Sequence, residues 1–428
     1  MSFKTYTLGE IASNTSRRFN FNDKEQVCFV NTGDILDGHF LVDEKVSSIG
    51  LPGQAKKAIQ KGDILYSEIR PGNKRHLLVN TDVDDYVVST KFMVITCNHD
   101  VVIPEYLYLV LTSKECEAEF KVIADSRSGT FPQITFDAVA YYPIELPNLI
   151  QQRAVVEFIK SITGKLNLNN QTNQTLEQMA QAIFKSWFVD FDPVKAKMNG
   201  EQPEGMDAAT ASLFPDKLDS ETGIPNGWTQ GSIADIAKLN AKSWTKKNSP
   251  EQVHYVDLAN TKNGVIESVT TYDFEESPSR ARRILNSGDT IVGTVRPGNR
   301  SYAFIGDTEK PLTGSTGFAV LSPKKSYWTS FVYLATTNDD SIDEYARLAD
   351  GGAYPAIKPA VVADTQCAIP TEDIAKKFWE LTGPMLRKAH QNRLQNEDLA
   401  ALRDTLLPKL LSGDVKLSDP KVKVGEIG

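Results

Sequence analysis

Two stretches of the chain share one spacing of apolar positions. In the first, Phe158, Ile162, Leu166, Asn169, Leu176, Met179, Ile183 and Trp187 step by four, four, three, seven, three, four and four. Leu381, Met385, Ala389, Asn392, Leu399, Leu402, Leu406 and Leu410 repeat those steps. This is the apolar face of a long helix, close to a heptad seam. Polar sequence surrounds both stripes. A core helix within its own domain is one reading of each; mutual packing into a helical spacer is the other, and two matched stripes favour it. About thirty residues at about 1.5 Å each would make a rod of about 45 Å. Asn169 and Asn392 hold equivalent seam positions, where a polar residue costs stability but fixes register. Gly383-Pro384, absent from the first stripe, predicts a kink or a restart.

The segments before the stripes repeat as well. Gly62-Asp63 recurs as Gly288-Asp289, and Arg70-Pro71-Gly72-Asn73 recurs as Arg296-Pro297-Gly298-Asn299. The same frame, without a gap, matches Val30 to Val256, Gly38 to Gly264, Ser89-Thr90 to Ser315-Thr316, Phe92 to Phe318 and Val94 to Val320. Upstream, Tyr6-Thr7 and Gly9 match Trp228-Thr229 and Gly231; downstream, Gly129, Pro132, Ile134 and Pro147 match Gly352, Pro355, Ile357 and Pro370. Such repetition predicts two copies of one lobe. Each lobe reads as mixed α and β, with short strands at 26–31, 63–69, 87–96, 290–295 and 316–322. Helices are expected from Pro104 and over 327–337. The stretch from Asp190 to Trp228, rich in Pro, Gly, acidic and small residues, reads as a linker.

Composition adds limits. With 428 residues, 24% charged and 40% hydrophobic, the chain is long enough for two or three domains. Neither a signal peptide nor a membrane-length apolar run is evident, so a cytoplasmic protein without membrane partners is expected. Cys28, Cys97, Cys116 and Cys367 lie too far apart for a C-x-x-C site, and read as core thiols. The net charge of −8 argues against nucleic-acid binding through bulk basicity. Walker, G-x-G-x-x-G, H-E-x-x-H and G-x-S-x-G motifs are missing, as is the [ND]-P-P-[YFW] motif of amino-methyltransferases. None of the five histidines recurs between the repeats. No catalytic residue and no metal site is expected.

The polar elements that do recur are turns. Arg-Pro-Gly-Asn follows a predicted strand in each copy and would display Arg70, Asn73, Lys74 and Arg75, or Arg296, Asn299 and Arg300. Arg and Asn suit phosphate contacts and bidentate reading of guanine and adenine edges; a solvated turn with a structural arginine is the alternative. A second element runs from Ser126 to Ile134 and from Asp350 to Lys358. There Arg127, Thr130 and Gln133 face Arg347, Tyr354 and Lys358, changing chemistry within a kept Gly and Pro frame. That suits one scaffold reading two targets.

This organisation resembles the specificity (S) subunit of type I restriction-modification systems. The resemblance covers nearly the whole chain. It is carried by Gln174-Thr175-Leu176-Glu177, Met179-Ala180, Ala182 to Val194, Gly223-Ile224-Pro225, Gly227-Trp228, Leu406 to Gly413 and the Ser-Gly-Thr-Phe-Pro-Gln-Ile loop. It implies an α+β fold of two pseudo-repeated target-recognition domains of mixed α/β structure, separated by two long antiparallel helices as a coiled-coil-like spacer. The expected divisions are a first recognition domain over 1–150, a central helix over 151–190, a linker over 191–223, a second recognition domain over 224–371, a C-terminal helix over 372–413 and a tail over 414–428. The helix contacts would come from Ile162, Leu166, Asn169, Leu176, Met179, Ile183 and Trp187 against Met385, Ala389, Asn392, Leu399, Leu402, Leu406 and Leu410.

By the same resemblance, the chain would be a non-catalytic reader of bipartite double-stranded DNA, one half-site per domain; a rod of about 45 Å would set the half-sites about one helical turn apart. It would hold two modification subunits, which methylate adenine with S-adenosylmethionine, and recruit restriction/translocase subunits that use ATP and Mg. No cofactor is expected on this chain itself. The first 150 residues hold 15 basic and 20 acidic side chains, so weak DNA binding by the isolated chain is expected. Two alternatives stay open from the residues alone: a methyltransferase or nuclease with an unrecognised site, and a tandem protein-binding scaffold.

Overall fold

The computed structural model describes residues 3–127 and 132–417, with only the backbone of Arg127. It contains two compact units, one gathering residues 1–166 with the chain from 397 on, the other 167–396. The long helices Leu149–Phe188 and Glu372–Ser412 each contribute to both units. Among the described residues no helix is long and apolar enough to cross a membrane.

Each unit contains the same lobe. In the first, the strands His76–Leu78, Ile64–Ser67, Phe92–Cys97 and Ala12–Asn14 form an antiparallel sheet in that order. Its counterpart in the second is Tyr302–Phe304, Thr290–Gly293, Phe318–Pro323 and Ala237–Leu239. A second sheet in each lobe contains one parallel pair, Gln26–Val30 with Tyr86–Ser89 and Gln252–Val256 with Leu312–Ser315. The stretch 87–96, expected as one strand, is two, because the chain turns at Thr90-Lys91, where Lys91 donates its backbone N–H to the Ser89 hydroxyl at 3.2 Å. Each lobe also ties its start to its end. Lys4–Thr7 pairs with Pro143–Leu146 and Thr229–Ser232 with Gln366–Ile369, in each case just before a long helix begins.

The structure corrects the upstream frame of the repeat. Lys4–Thr7 corresponds to Thr229–Ser232, so Thr7 matches Ser232 and not Thr229. Both strands run into a one-turn helix whose start is closed by a carboxylate: Thr7 N donates to Glu10 Oε2 at 2.7 Å and Ser232 N to Asp235 Oδ2 at 2.8 Å. Reciprocal capping, with the buried pairs Leu8/Ile11 and Ile233/Ile236 behind it, sets the correspondence.

Within each unit the long helices run antiparallel. Val155, Val156 and Ile159 share a core with Leu406, Leu407 and Leu410 in the first; Phe184 and Phe188 share one with Ile374 and Phe378 in the second. Most seam positions are buried or half-buried, but Met179 and Leu402 are not: they are 47% and 41% exposed. Leu381, third of the same kind, is also exposed. The seven-residue step in each stripe is filled by polar residues instead, with Asn173 buried and Asn396 half-buried. Stepping by apolar residues alone therefore drifted off the buried face.

Two further expectations are corrected. Of the kink or restart expected at Gly383-Pro384, the restart is absent: helix Glu372–Ser412 is continuous there. Gly383 lies against the Trp379 ring, where a Cβ would come within 2.8 Å, and Phe378, Thr382 and Leu386 bury the adjoining turns. That packing outweighs one missing backbone hydrogen bond. The 191–223 linker is not a flexible tether either. It forms helices Asp192–Met198 and Ala208–Leu213 and buries Val194 and Phe214 in the core of the second unit. The Trp187 and Phe214 rings meet edge-on at 5.0 Å, and Trp228 packs on Phe188. Pro and Gly composition concealed these aromatic anchors.

Candidate nucleic-acid interface

The two turns adopt one uncommon backbone. Pro71–Asn73 and Pro297–Asn299 form single 3₁₀ turns, each flanked by left-handed residues: Arg70 (φ 47°) and Lys74 (φ 53°), Arg296 (φ 48°) and Arg300 (φ 59°). Left-handed backbone disfavours a residue with a Cβ, and its recurrence at four basic positions means the surroundings enforce it. Two other segments do so. A hairpin tip at Asp37-Gly38, or Asn263-Gly264, has two consecutive positive-φ residues, as a type I′ turn requires. Asp37 N donates to Lys74 O at 2.8 Å and Asn263 N to Arg300 O at 2.9 Å. On the other side Arg70 N donates to Pro132 O at 2.9 Å, and Arg296 N to Pro355 O at 2.7 Å. Ile134 N closes onto Glu68 O and Ile357 N onto Thr294 O, both at 2.9 Å. Hairpin tip, basic turn and Gly/Pro loop thus meet at one place in each lobe.

Side chains at that place differ between copies. Arg70, Asn73, Lys74 and Gln133 are exposed in the first, with Lys74 Nζ 3.5 Å from Asp37. Arg75 is a structural arginine: its Nη1 donates to the Gly33 and Ile35 carbonyls at 2.9 and 2.6 Å, and so braces the hairpin. Ser301 takes its place in the second copy and donates to Leu258 O at 3.1 Å. Thr130 and the Arg127 side chain lie outside the described residues.

In the second copy Arg296 spreads over the Tyr354 ring at 4.5 Å and donates to Ala353 O at 2.7 Å. This supports Tyr354, which is 71% exposed at the loop tip. Asn299 and Lys358 are exposed. Arg300 is paired with Asp339 at 2.5 Å and lies 3.9 Å from Asp343. The Asp339 carboxylate pulls the Arg300 pKa above its ordinary value. Arg347, on helix Asp339–Leu348, is exposed but held by both oxygens of Glu344 at 2.8 and 2.6 Å.

Behind the first turn, His76 is buried with its Nδ1 3.0 Å from Tyr108 Oη, and burial lowers its pKa. Glu117, 3.4 Å from the other ring nitrogen, is shifted upward by burial. The two hairpin tips and the carboxylates Asp339 and Asp343 were not among the residues expected from the sequence. An Asp-Gly and an Asn-Gly at matching positions, already aligned through Gly38 and Gly264, were the available hairpin signal. Nothing local marked the carboxylates. Among the described residues, no group of three or more His, Cys, Asp or Glu could hold a metal ion.

Comparison with known proteins agrees with this geometry. Residues 2–178 match the type I restriction modification DNA specificity domain. The HindI specificity subunit of Haemophilus influenzae, a type I restriction enzyme subunit, is 35% identical over 460 aligned positions, spanning 96% of this chain and 99% of that one. The MjaIX specificity subunit of Methanocaldococcus jannaschii is 24% identical, spanning 75% and 71%. A crystal structure of a type I restriction-modification S subunit from M. genitalium has the same fold, with a TM-score of 0.58 at 13% identity over 96% of each chain. The chain belongs to the family of type I restriction enzyme specificity subunits. It is therefore the DNA-recognition, non-catalytic component of such a system, rather than a self-contained methyltransferase or nuclease or a protein-only scaffold.

Proposed function

We propose that each lobe reads one half of a bipartite duplex target through its hairpin tip, basic turn and Gly/Pro loop. The observation that carries this is the recurrence, in both lobes, of the same three-segment cluster with left-handed basic residues at Arg70 and Lys74 and at Arg296 and Arg300. Strained backbone persists where neighbouring structure holds it, and it concentrates at binding sites. Arg70, Asn73, Lys74, Arg127, Thr130 and Gln133 serve one half-site; Arg296, Asn299, Arg300, Arg347, Tyr354 and Lys358 serve the other. Arg75 supports the hairpin.

Two modification subunits dock along the exposed faces of the long helices. Met179 in one unit and Leu402 in the other hold equivalent positions on the two helices and expose an apolar side chain at each, which suits two copies of one partner. Those subunits methylate adenine with S-adenosylmethionine, and restriction/translocase subunits using ATP and Mg join them. This chain binds no cofactor of its own, and its partners supply the remaining phosphate contacts.

The test is alanine substitution of each named residue in the assembled complex, with genome-wide mapping of methylated adenine and DNA titrations across salt. Loss of a phosphate contact weakens all sequences and flattens the salt slope by about one unit. Loss of a base contact costs about 1–3 kcal/mol and relaxes one position. Unchanged binding and unchanged site choice for every variant would remove the two loops from the interface.

A further inference from the structure

We propose that Asp339 and Asp343 are specificity-determining residues of the second lobe, acting by occupying Arg300 when the wrong DNA is present. The inference rests on the reading of the Arg296–Arg300 turn as DNA-facing. Helix Asp339–Leu348 packs on that turn, with the Ala346 methyl 3.7 Å from where a Gly298 Cβ would stand. In ten residues it carries Asp339, Asp340, Asp343 and Glu344 against Arg347 alone. A surface built only to attract a polyanion would not place four carboxylates there.

The pairing is geometrically direct but weak. Arg300 Nη1 is 2.5 Å from Asp339 and Nη2 is 3.9 Å from Asp343, while the two carboxylate side chains are 80% and 77% exposed. Exposed pairs of this kind are screened and contribute little to stability, so a phosphate can displace them. In the first lobe the arrangement is looser. Its equivalent cation, Lys74, makes a salt bridge among the described residues only with Asp37, at 3.5 Å, and the matching helix Lys114–Arg127 opens on a lysine, although it also carries Glu115 and Glu117, the latter within electrostatic reach of Lys74.

Approach of any duplex therefore meets two opposing terms at the second turn. Arg300 gains a phosphate but gives up a carboxylate, and Asp339 and Asp343 are repelled. With no base contacts the exchange yields little. With the correct half-site, contacts from the rest of the cluster tip it toward DNA. Discrimination arises from suppressed non-target binding rather than from a stronger target contact.

The experiment uses the assembled complex with D339N/D343N, R300A, the triple variant and D340N, the last removing a neighbouring charge not paired with Arg300. Binding is titrated across KCl on a target duplex, identified by methylation mapping, and on a duplex without the target. The expected result for D339N/D343N is about tenfold tighter non-target binding at low salt, with a salt slope steeper by about one. Target binding gains less, and adding R300A removes the part of both changes that runs through Arg300, leaving only the relief of carboxylate repulsion. If D339N/D343N leaves non-target binding unchanged while R300A weakens target binding, the proposal is overturned and the DNA-facing turn stands. Reproduction of the full effect by D340N overturns it in the same way. If R300A alters neither duplex in either background, the DNA-facing reading itself fails.

Discussion

The Tyr333 hydroxyl donates to Glu177 Oε1 at 2.7 Å, fastening the second lobe to the central long helix. Its counterpart in the first lobe, Tyr108, meets His76 Nδ1 at 3.0 Å instead. Both hydroxyls lie beneath a hairpin-tip glycine: a Cβ on Gly38 would stand 3.0 Å from Tyr108 Oη, and one on Gly264 2.9 Å from Tyr333 Oη. One tyrosine thus supports the recognition hairpin in each copy, through different partners. Burial, reinforced by the Glu177 carboxylate, raises the Tyr333 pKa well above its ordinary value and keeps the phenol a donor.

Tyr333→Phe retains the ring and removes the donor, leaving Glu177 without this bond. A hydrogen bond to a charged group is worth about 1.5–3 kcal/mol, so urea unfolding should show a loss in that range. Glu177→Gln keeps an acceptor and should lose less. Equal losses for the two variants would mean that the bond contributes through the side chains' packing alone.

A polar patch fills the helix seam of the second unit. Asn392 Nδ2 donates to Asn173 Oδ1 at 2.9 Å, and Asn169 Nδ2 donates to Gln395 Oε1 and Asn396 Oδ1 at 2.9 and 2.8 Å. Asn392→Leu strands a buried Asn173 amide and should cost about 1–3 kcal/mol. Asn173→Leu with Asn392→Leu removes both polar groups, and should recover most of that loss while weakening the register that the pair specifies. A double-mutant cycle by chemical denaturation reads the coupling. Additive single losses would show that the two amides do not act as a pair.

What the sequence revealed and what it concealed divide along physical lines. The repeat was legible through turns, because Gly288 and Gly62 need positive φ and Arg-Pro-Gly-Asn encodes a local geometry that neighbours only reinforce. The upstream frame was misread because Tyr6-Thr7 resembles Trp228-Thr229, whereas the capping carboxylates Glu10 and Asp235 that define it differ in identity. Met179 and Leu402 look like seam residues by type; only the burial of Asn173 shows that the seam passes elsewhere. Arg75 and Arg300 look alike as exposed cations. Their partners, the Gly33 and Ile35 carbonyls for one and Asp339 for the other, are distant in sequence and come close only on folding.

Two equivalent carboxylates are expected to respond in opposite directions. Asp63 is buried and bonded to Arg17 at 2.6 and 3.0 Å, so Asp63→Ala leaves a guanidinium without its partner and should cost about 3 kcal/mol. Asp289 is equally buried, but the strand register puts Lys242 where the first lobe has Arg17. Burial raises the Asp289 pKa above the ordinary 3.8, outweighing the hydrogen bonds from Asn286 and Ser322 and the weaker pull of the Lys242 charge. A raised carboxyl binds its proton more tightly when folded. Its contribution therefore favours folding at low pH and is lost as pH rises from 3.8 through the raised value. Asp289→Asn keeps an acceptor for Asn286 N and removes that loss, so its melting temperature at neutral pH should equal or exceed the parent's. A clear drop at neutral pH would show that the bonds from Asn286 and Ser322 to the ionised carboxylate outweigh the cost of its burial.

The strained arginines allow stability and recognition to be separated. Arg70 and Arg296 hold φ near 47° and 48°, a region where glycine is at ease and a residue with a Cβ costs of order 1 kcal/mol. Arg70→Gly or Arg296→Gly should therefore fold as stably as the parent, or more so by about 1 kcal/mol, since relief of backbone strain offsets lost side-chain contacts. For Arg296 those contacts are the Tyr354 ring and the Ala353 carbonyl. In the assembled complex each glycine variant should relax or lose recognition of one half-site and leave the other intact, as read by methylation mapping. Alanine at the same positions removes the same side-chain contacts while keeping the strain, so it should match glycine in recognition but be less stable. A glycine variant that lost stability as alanine does would mean that the left-handed turn is held by the arginine side chain itself, and the strain would then carry no argument for a binding role.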